Sequence, residues 1–420
     1  MTLDKMVLRS ATAITLLGAA VASTPASATG GYFAIGFGAV QRSMGGAGVA
    51  HTNDAMSSAA NPAGVADVGR EFVLGGQVFN PVRGFEGTGT LFVPSGEIDS
   101  DKNFFISPNF AYNVPLANGA VLNFAAYGNG GMNTTYPDVA NPNCLSGVFC
   151  AGPAGVDLIQ LFLSATYAKK VGDISFGIAP TVVIQGFSAN GLGAFGAISV
   201  DPTALTDNGQ DWSFGYGLRG GIEIDISDTL RFGLAGQTKM WMSEFDKYSG
   251  LFEGGGDFDI PASITAGFAL DVQPNLTMML DYQHIFYSDI GALGNAGNAG
   301  PLGAVDGAGF GWDDVDVVKL GIEWRASDRM TLRAGYAHAS NPIGADDVTL
   351  NILAPGITTH HFTAGGTYKI NDRNAISVSA VYAPENAVSG AETTPGGPTP
   401  GEVELKMYQA SINIEWSKTF

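Results

Sequence analysis

The last eighteen residues of the chain alternate strictly between two faces. Tyr408, Ala410, Ile412, Ile414, Trp416 and Phe420 fall on one, and Gln409, Ser411, Asn413, Glu415, Ser417 and Thr419 on the other. Period-two alternation is the signature of a strand with unlike surroundings on its two sides. A chain that ends in such a strand, on an aromatic residue, reads as a transmembrane β-barrel with an apolar outside and a polar lumen.

The same pattern recurs along the chain between turn signals, giving fourteen candidate strands at residues 70–80, 102–114, 118–127, 159–171, 173–188, 212–226, 229–242, 258–271, 274–287, 315–326, 329–338, 358–370, 373–384 and 403–420. Their connections alternate between tight turns, such as Ser227 with Asp228 or Asn371 with Asp372, and long Gly-rich loops at 81–101, 128–158, 189–211, 243–257, 288–314, 339–357 and 385–402. Short periplasmic turns and long extracellular loops are the asymmetry of bacterial outer-membrane barrels. The expected fold is therefore all-β: a fourteen-stranded antiparallel barrel over residues 70–420, with both termini on the periplasmic side.

Charge fixes the register. Trp212, Phe214, Tyr216, Leu218, Ile222, Ile224 and Ile226 share a face, opposite Arg219, Glu223 and Asp225; Val318, Leu320, Ile322, Trp324, Leu332 and Tyr336 lie opposite Lys319, Glu323, Arg325 and Arg333. A lipid-facing Arg or Lys costs about 2–4 kcal/mol at the bilayer midplane, so the charges point inward.

Residues 1–28 carry Lys5 and Arg9, an apolar run from Ala11 to Ala22 and an Ala26–Ser27–Ala28 cleavage pattern, the makeup of a secretory signal. A helix spanning a bilayer needs roughly 20 apolar residues, more than this run supplies. With 39 acidic against 20 basic residues and a net charge of −19, nucleic acid is excluded as a partner. Acidic stretches such as Gly254 to Asp259 and Asp313 to Asp316 read as a solvated rim, because none has calcium-loop spacing. Cys144 and Cys150 lie in one Pro/Asn/Gly-rich loop of an exported chain, which favours a local disulfide over a metal site. No cofactor or metal is expected. His284, His338, His360 and His361 have no neighbouring nucleophile motif, so an enzyme is not supported. Nothing calls for a trimer, and a monomer is expected.

Residues 29–69 do not read as wall. They are Gly-rich, carry Phe33, Ile35 and Phe37 early, and close on Asn61, Pro62, Ala63 and Gly64. They are too apolar for a disordered tail, and a fourteen-stranded barrel has a lumen too wide for wall side chains to fill. The expectation is a plug inside the barrel.

The run over residues 36–66, GFGAVQRSMGGAGVAHTNDAMSSAANPAGVA, resembles the N-terminal signature of the FadL family, the long-chain fatty acid and hydrophobic-compound channels of Gram-negative outer membranes. Ser43, the glycines at 45, 46 and 48, the stretch around Asp54 and the Asn61–Pro62–Ala63 motif carry the resemblance. LDYQHIFYSDI over residues 280–290 and VKLGIEWRASDRMTLRAGYAHASNPI over residues 318–343 continue it.

The resemblance implies passive uptake of a hydrophobic molecule, foremost a long-chain fatty acid. The molecule would be caught at an outer groove, held in an inner pocket beside a hatch, and released sideways through a kink in the third strand. On this chain the hatch is residues 29–66, with Phe33, Ile35 and Phe37 either lining the pocket or packing the plug against the wall. Tyr127, Gly128, Asn129, Gly130 and Gly131 stand at the kink. Leu192, Phe195, Leu251 and Phe252 are groove candidates. A carboxylate calls for an inward cation; alternation turns Arg219, Arg231, Lys239, Lys319 and Arg333 inward, with Lys239 and Lys319 first choices, unless these charges only balance Glu223, Asp281 and Glu323. Aromatic or alkane hydrocarbons are the alternative cargo, and a polar-solute porin or an adhesin barrel the more remote readings. Other expected partners are outer-membrane lipid and lipopolysaccharide, and the barrel assembly machinery through the C-terminal strand.

Overall fold

The computed structural model describes residues 30–144, 146–394 and 397–420. The signal segment, and Thr29 at the start of the plug, lie outside the described residues. Sixteen strands form one sheet: β1 Glu71–Thr88, β2 Gly96–Asp99, β3 Phe105–Pro115, β4 Ala120–Tyr136, β5 Ala154–Val171, β6 Ile174–Asn190, β7 Asp211–Asp225, β8 Leu230–Gln237, β9 Trp241–Met242, β10 Ser263–Gln273, β11 Leu276–Ile285, β12 Val315–Arg325, β13 Met330–Ala339, β14 His360–Asn371, β15 Asn374–Thr394 and β16 Gly397–Thr419. Two of these are accessory: β2 folds back on β1, and β9 adds a two-residue pairing to β7. The other fourteen make the wall, each antiparallel to its sequence neighbour, and β16 pairs with β1 from Glu71↔Thr419 to Thr88↔Glu402. Closure joins the last wall strand to the first, so neither ends the sheet as an open edge strand, which hydrocarbon does not tolerate.

The faces follow the alternation. Leu320 is 47% exposed and its neighbour Lys319 5%. Phe214, Tyr216, Leu218, Ile412, Ile414 and Trp416 present apolar surface outward, while Arg219, Gln409, Asn413 and Glu415 are buried in the lumen. Strand ends differ from the sequence reading on the long-loop side, where β1, β4, β15 and β16 continue well past residues 80, 127, 384 and 403. These extensions lie on the side of the long loops, where the apolar alternation of the sequence fades. The span 229–242 is a second difference: the β8 ladder stops at Gln237. There the Thr238 hydroxyl accepts the Leu218 amide at 3.1 Å and donates to the Lys239 carbonyl at 2.8 Å, replacing ladder bonds.

Apolar packing gathers in two places, along the N-terminal segment and beneath the long loops. In the loops, Phe92, Phe149 and Phe195 meet with ring centroids 5.3–6.0 Å apart. Beside them Phe187, Phe245, Tyr248, Phe252 and Phe258 form a second aromatic cluster. Cys144 and Cys150 are disulfide-bonded, with Cα atoms 5.5 Å apart.

Candidate functional site: a lumen closed by the N-terminal segment beside a window in the wall

Residues 30–69 run inside the barrel, tied to inward-facing side chains around its circumference. The Gly48 and Val49 amides donate to Asp281 Oδ2 at 2.7 and 2.9 Å. Arg42 donates to Asn413 Oδ1 at 2.6 Å, and its burial holds the guanidinium down at about 10, against the pull of Glu415. His51 lies 3.3 Å from Glu323, which also receives Arg333 at 2.7 Å. The motif at Asn61, Pro62 and Ala63 is a docking joint. Asn61 Nδ2 donates to the Val49 and Ile222 carbonyls, and its Oδ1 caps the Ala63 amide at 3.0 Å. Pro62 and Asn61 sit where a Cβ on Gly177 or Gly221 would be, so those wall glycines provide the room.

Asp54 opens a short 3₁₀ turn, accepting the Met56 and Ser57 amides at 2.9 and 3.1 Å. Burial pushes its carboxyl above the ordinary aspartate value, and the Arg333 charge and these bonds oppose the rise only in part.

The first residues form a strip across the lumen. The Tyr287 hydroxyl accepts the Tyr32 and Phe33 amides at 3.1 and 3.0 Å and donates to the Gly30 carbonyl at 2.6 Å. Tyr32, Phe33, Tyr287 and Trp312 enclose this turn at centroid separations of 5.2–6.0 Å. Sequence reasoning passed over Tyr287 and Trp312. Trp312 lies in a long loop, and Tyr287, the last residue of the expected strand 274–287, sits in a turn just past the end of β11 at Ile285.

The strip's next contact is with the third wall strand. Pairing of β3 with β4 ends at Asn109↔Tyr127, although both strands continue. Beyond that point β3 pairs only with β1, through Phe79↔Phe105. On its other side β4 slips register between Gly128 and Gly131. The freed backbone turns to the plug: Ala34 donates to the Asn129 carbonyl at 2.8 Å, and Phe33 bridges Gly130. A Cβ at Gly130 would collide with the Tyr32 carbonyl, so only glycine permits this approach. The gap is bounded above where Asp101 donates to the Thr135 carbonyl at 2.8 Å. Tyr127, Gly128, Asn129, Gly130 and Gly131 thus stand along a window in the wall.

The strip divides two cavities. The inner one is lined by Phe33, Ile35, Phe37, Arg219, Asp281 and Lys319 among others. The second lies at the window against Tyr32, Phe79, Arg83, Met132, Trp312 and Met407. Phe33, Ile35 and Phe37 therefore line the inner space and also pack: Phe37 meets Tyr127 edge-on at 4.8 Å, with the Arg219 guanidinium over both rings. Lys319 donates to the Ile35 carbonyl at 3.2 Å. Lys239 is elsewhere. It leaves the ladder with Thr238, pairs with Asp259 at 2.6 Å and lines neither of these two cavities. Leu192, Phe195, Leu251 and Phe252 are at most 8% exposed, packed within the loop clusters rather than along an open groove.

Such an architecture, a closed outer-membrane barrel filled by its own N-terminus and interrupted by a wall gap, defines a channel and not an open pore. Residues 19–417 match the model of the outer membrane protein transport family, OMPP1/FadL/TodX. The chain belongs to this family, whose members carry hydrophobic compounds through the outer membrane. Among solved structures it resembles the Pseudomonas putida toluene transporter TodX, at 17% identity and a TM-score of 0.66 over 92% of this chain and 99% of that one. It resembles a Pseudomonas aeruginosa FadL homologue at 15% and 0.68 over the same shares, and the Ralstonia pickettii toluene transporter TbuX at 18% and 0.64, again over 92% and 99%. At these identities the likeness is one of fold. No curated protein sequence matches the chain.

Proposed function

We propose that the protein takes up amphiphilic hydrophobic acids, long-chain fatty acids foremost, by passive passage from the extracellular loops to the inner cavity and out through the window. The observation that carries this reading is the pair of cations on the inner cavity. Arg219 and Lys319 are 7% and 5% exposed, and neither has a carboxylate within 4 Å among the described residues. Arg219 instead bonds the Tyr127 hydroxyl and the Ala59 carbonyl, leaving its Nε without an acceptor. Opposite Lys319 on the neighbouring strand, Asp281 has its Oδ2 engaged by the plug amides. Asp281 faces Lys319 from beyond ion-pair distance, and a buried cation with no carboxylate in contact is expensive; a ligand carboxylate would relieve that cost. Passage from the inner cavity to the window requires residues 32–34 to leave Asn129 and Gly130, so these residues act as the hatch.

Hydrocarbon uptake is the second reading. It is favoured by the apolar side chains Phe79, Met132, Trp312 and Met407 at the window, and the toluene transporters among the solved structures share the fold.

The test is uptake of labelled oleate and labelled toluene by Gram-negative cells lacking their own fatty acid channel, with wild type and Lys319→Met at equal outer-membrane levels. Oleate uptake that falls in the variant while toluene passage holds supports the acid reading. Toluene passage with no oleate uptake overturns it in favour of hydrocarbons.

A further inference from the structure

We infer that Arg83 is a second carboxylate station, placed at the window, which receives the acid head group as the ligand leaves the inner cavity. The inference rests on the acid reading above and assigns a binding residue beyond the inner-cavity cations. Arg83 projects from β1, is 3% exposed and lines the apolar window cavity. It reaches across the gap left by β3. Its Nε donates to the Asn133 carbonyl and its Nη2 to Asn133 Oδ1, both at 2.7 Å, while Nη1 donates to the Pro81 carbonyl and Asn103 Oδ1 at 2.8 and 3.0 Å. Its guanidinium carbon lies 5.4 Å from the Phe105 ring centroid, over the first residue of β3.

Every acceptor in that set is neutral. In a chain with 39 acidic residues, the Arg83 guanidinium has no carboxylate within 4 Å among the described residues. The nearby Asp157, paired in register with Asn133, is taken by Lys102 at 3.1 Å. Of the five N–H groups of a guanidinium, the second on Nη2 has no acceptor here, and the first is held by an amide side chain able to rotate away. A carboxylate arriving at Nη2 would exchange a neutral acceptor for a charge-assisted one, the stronger bond by roughly twofold. Phe79, Met132 and Met407 of the same cavity would take the adjoining methylenes. A neutral side chain would brace the window without the cost of a buried charge, so the charge itself calls for an anion.

The experiment compares uptake of labelled oleate and its neutral methyl ester by cells carrying wild type, Arg83→Gln or Arg83→Lys, with Lys319→Met alongside. The expected result is an oleate rate about tenfold lower in Arg83→Gln with methyl oleate unchanged, and recovery to within about threefold of wild type in Arg83→Lys, as charge-assisted pairing requires. Equal losses for acid and ester in both Arg83 variants would show a brace only and overturn the inference. So would wild-type rates for both ligands in Arg83→Gln; if Lys319→Met is then still defective for oleate, the acid reading survives alone. No oleate uptake by wild type overturns both.

Discussion

The amide of Ala34 donates to the main-chain oxygen of Asn129 at 2.8 Å, so the plug is bonded to a stretch of β4 that has no pairing with β3. One backbone contact thereby holds both the interior strip and the bent edge of the window. Under the proposed mechanism, moving the strip would free the edge, and straightening the edge would expel the strip.

Filling the close approach at Gly130 tests that coupling. Gly130→Val places a side chain where the Tyr32 carbonyl sits, and overpacking of this kind costs about 1–3 kcal/mol. The barrel wall stays paired through β5, so the strip yields. Purified Gly130→Val in planar bilayers should show larger and more frequent ionic currents than wild type.

Tyr287 fixes the strip at three points. Tyr287→Phe removes all three bonds and takes the acceptor from the buried Tyr32 amide, while the Phe33 amide keeps the Gly30 carbonyl, a local loss of about 1–3 kcal/mol. Hydrogen exchange at residues 30–35 should accelerate by roughly ten- to a hundredfold by the usual conversion of free energy to populations. Thermal unfolding of the barrel, held by strand pairing, should shift little.

Asp54 gives the plug a pH dependence of known sign. Its carboxyl is raised above 3.8 in the folded state, first by burial, so the folded plug binds the proton more tightly than the unfolded segment. The associated stability is complete below about 3.8 and lost as pH rises through the raised value. Exchange at residues 54–60, corrected for intrinsic rate, should be slower at pH 5 than at pH 8. Asp54→Asn, which keeps a capping acceptor, should flatten that difference and protect the plug at pH 8.

The lipid face is tested at the middle of β12. Leu320→Arg puts a cation on the outer surface beside the inward Lys319 and should lower the folding free energy in vesicles by about 2–4 kcal/mol. Urea titration of the refolded protein measures it.

The wall was legible in the sequence because lipid and lumen impose opposite demands on alternate residues, as at Leu320 and Lys319. Legibility failed where those demands cease. Residues 385–402, read as a loop, belong largely to the β15–β16 hairpin that projects past the membrane, pairing Ala391 with Glu402. The period along residues 229–242 is interrupted at Thr238, whose hydroxyl takes the Leu218 amide before pairing with β7 resumes at Trp241. The kink at residues 127–131 was visible as a glycine cluster, whereas Tyr287, Trp312 and Arg83 act through tertiary proximity that local patterns do not encode.

The central claim is that ligand passage needs the strip to part from the window edge. Ala34→Cys with Asn129→Cys, in a Cys144→Ser, Cys150→Ser background, places thiols on two residues whose backbones are hydrogen-bonded at 2.8 Å, next to the Phe33–Gly130 bridge, for cross-linking by oxidation. The measurement is the initial rate of labelled oleate uptake by cells bearing this variant, before and after reduction. The account predicts little uptake when oxidised and recovery towards the background rate when reduced. Undiminished uptake with the strip locked to Asn129 would contradict it.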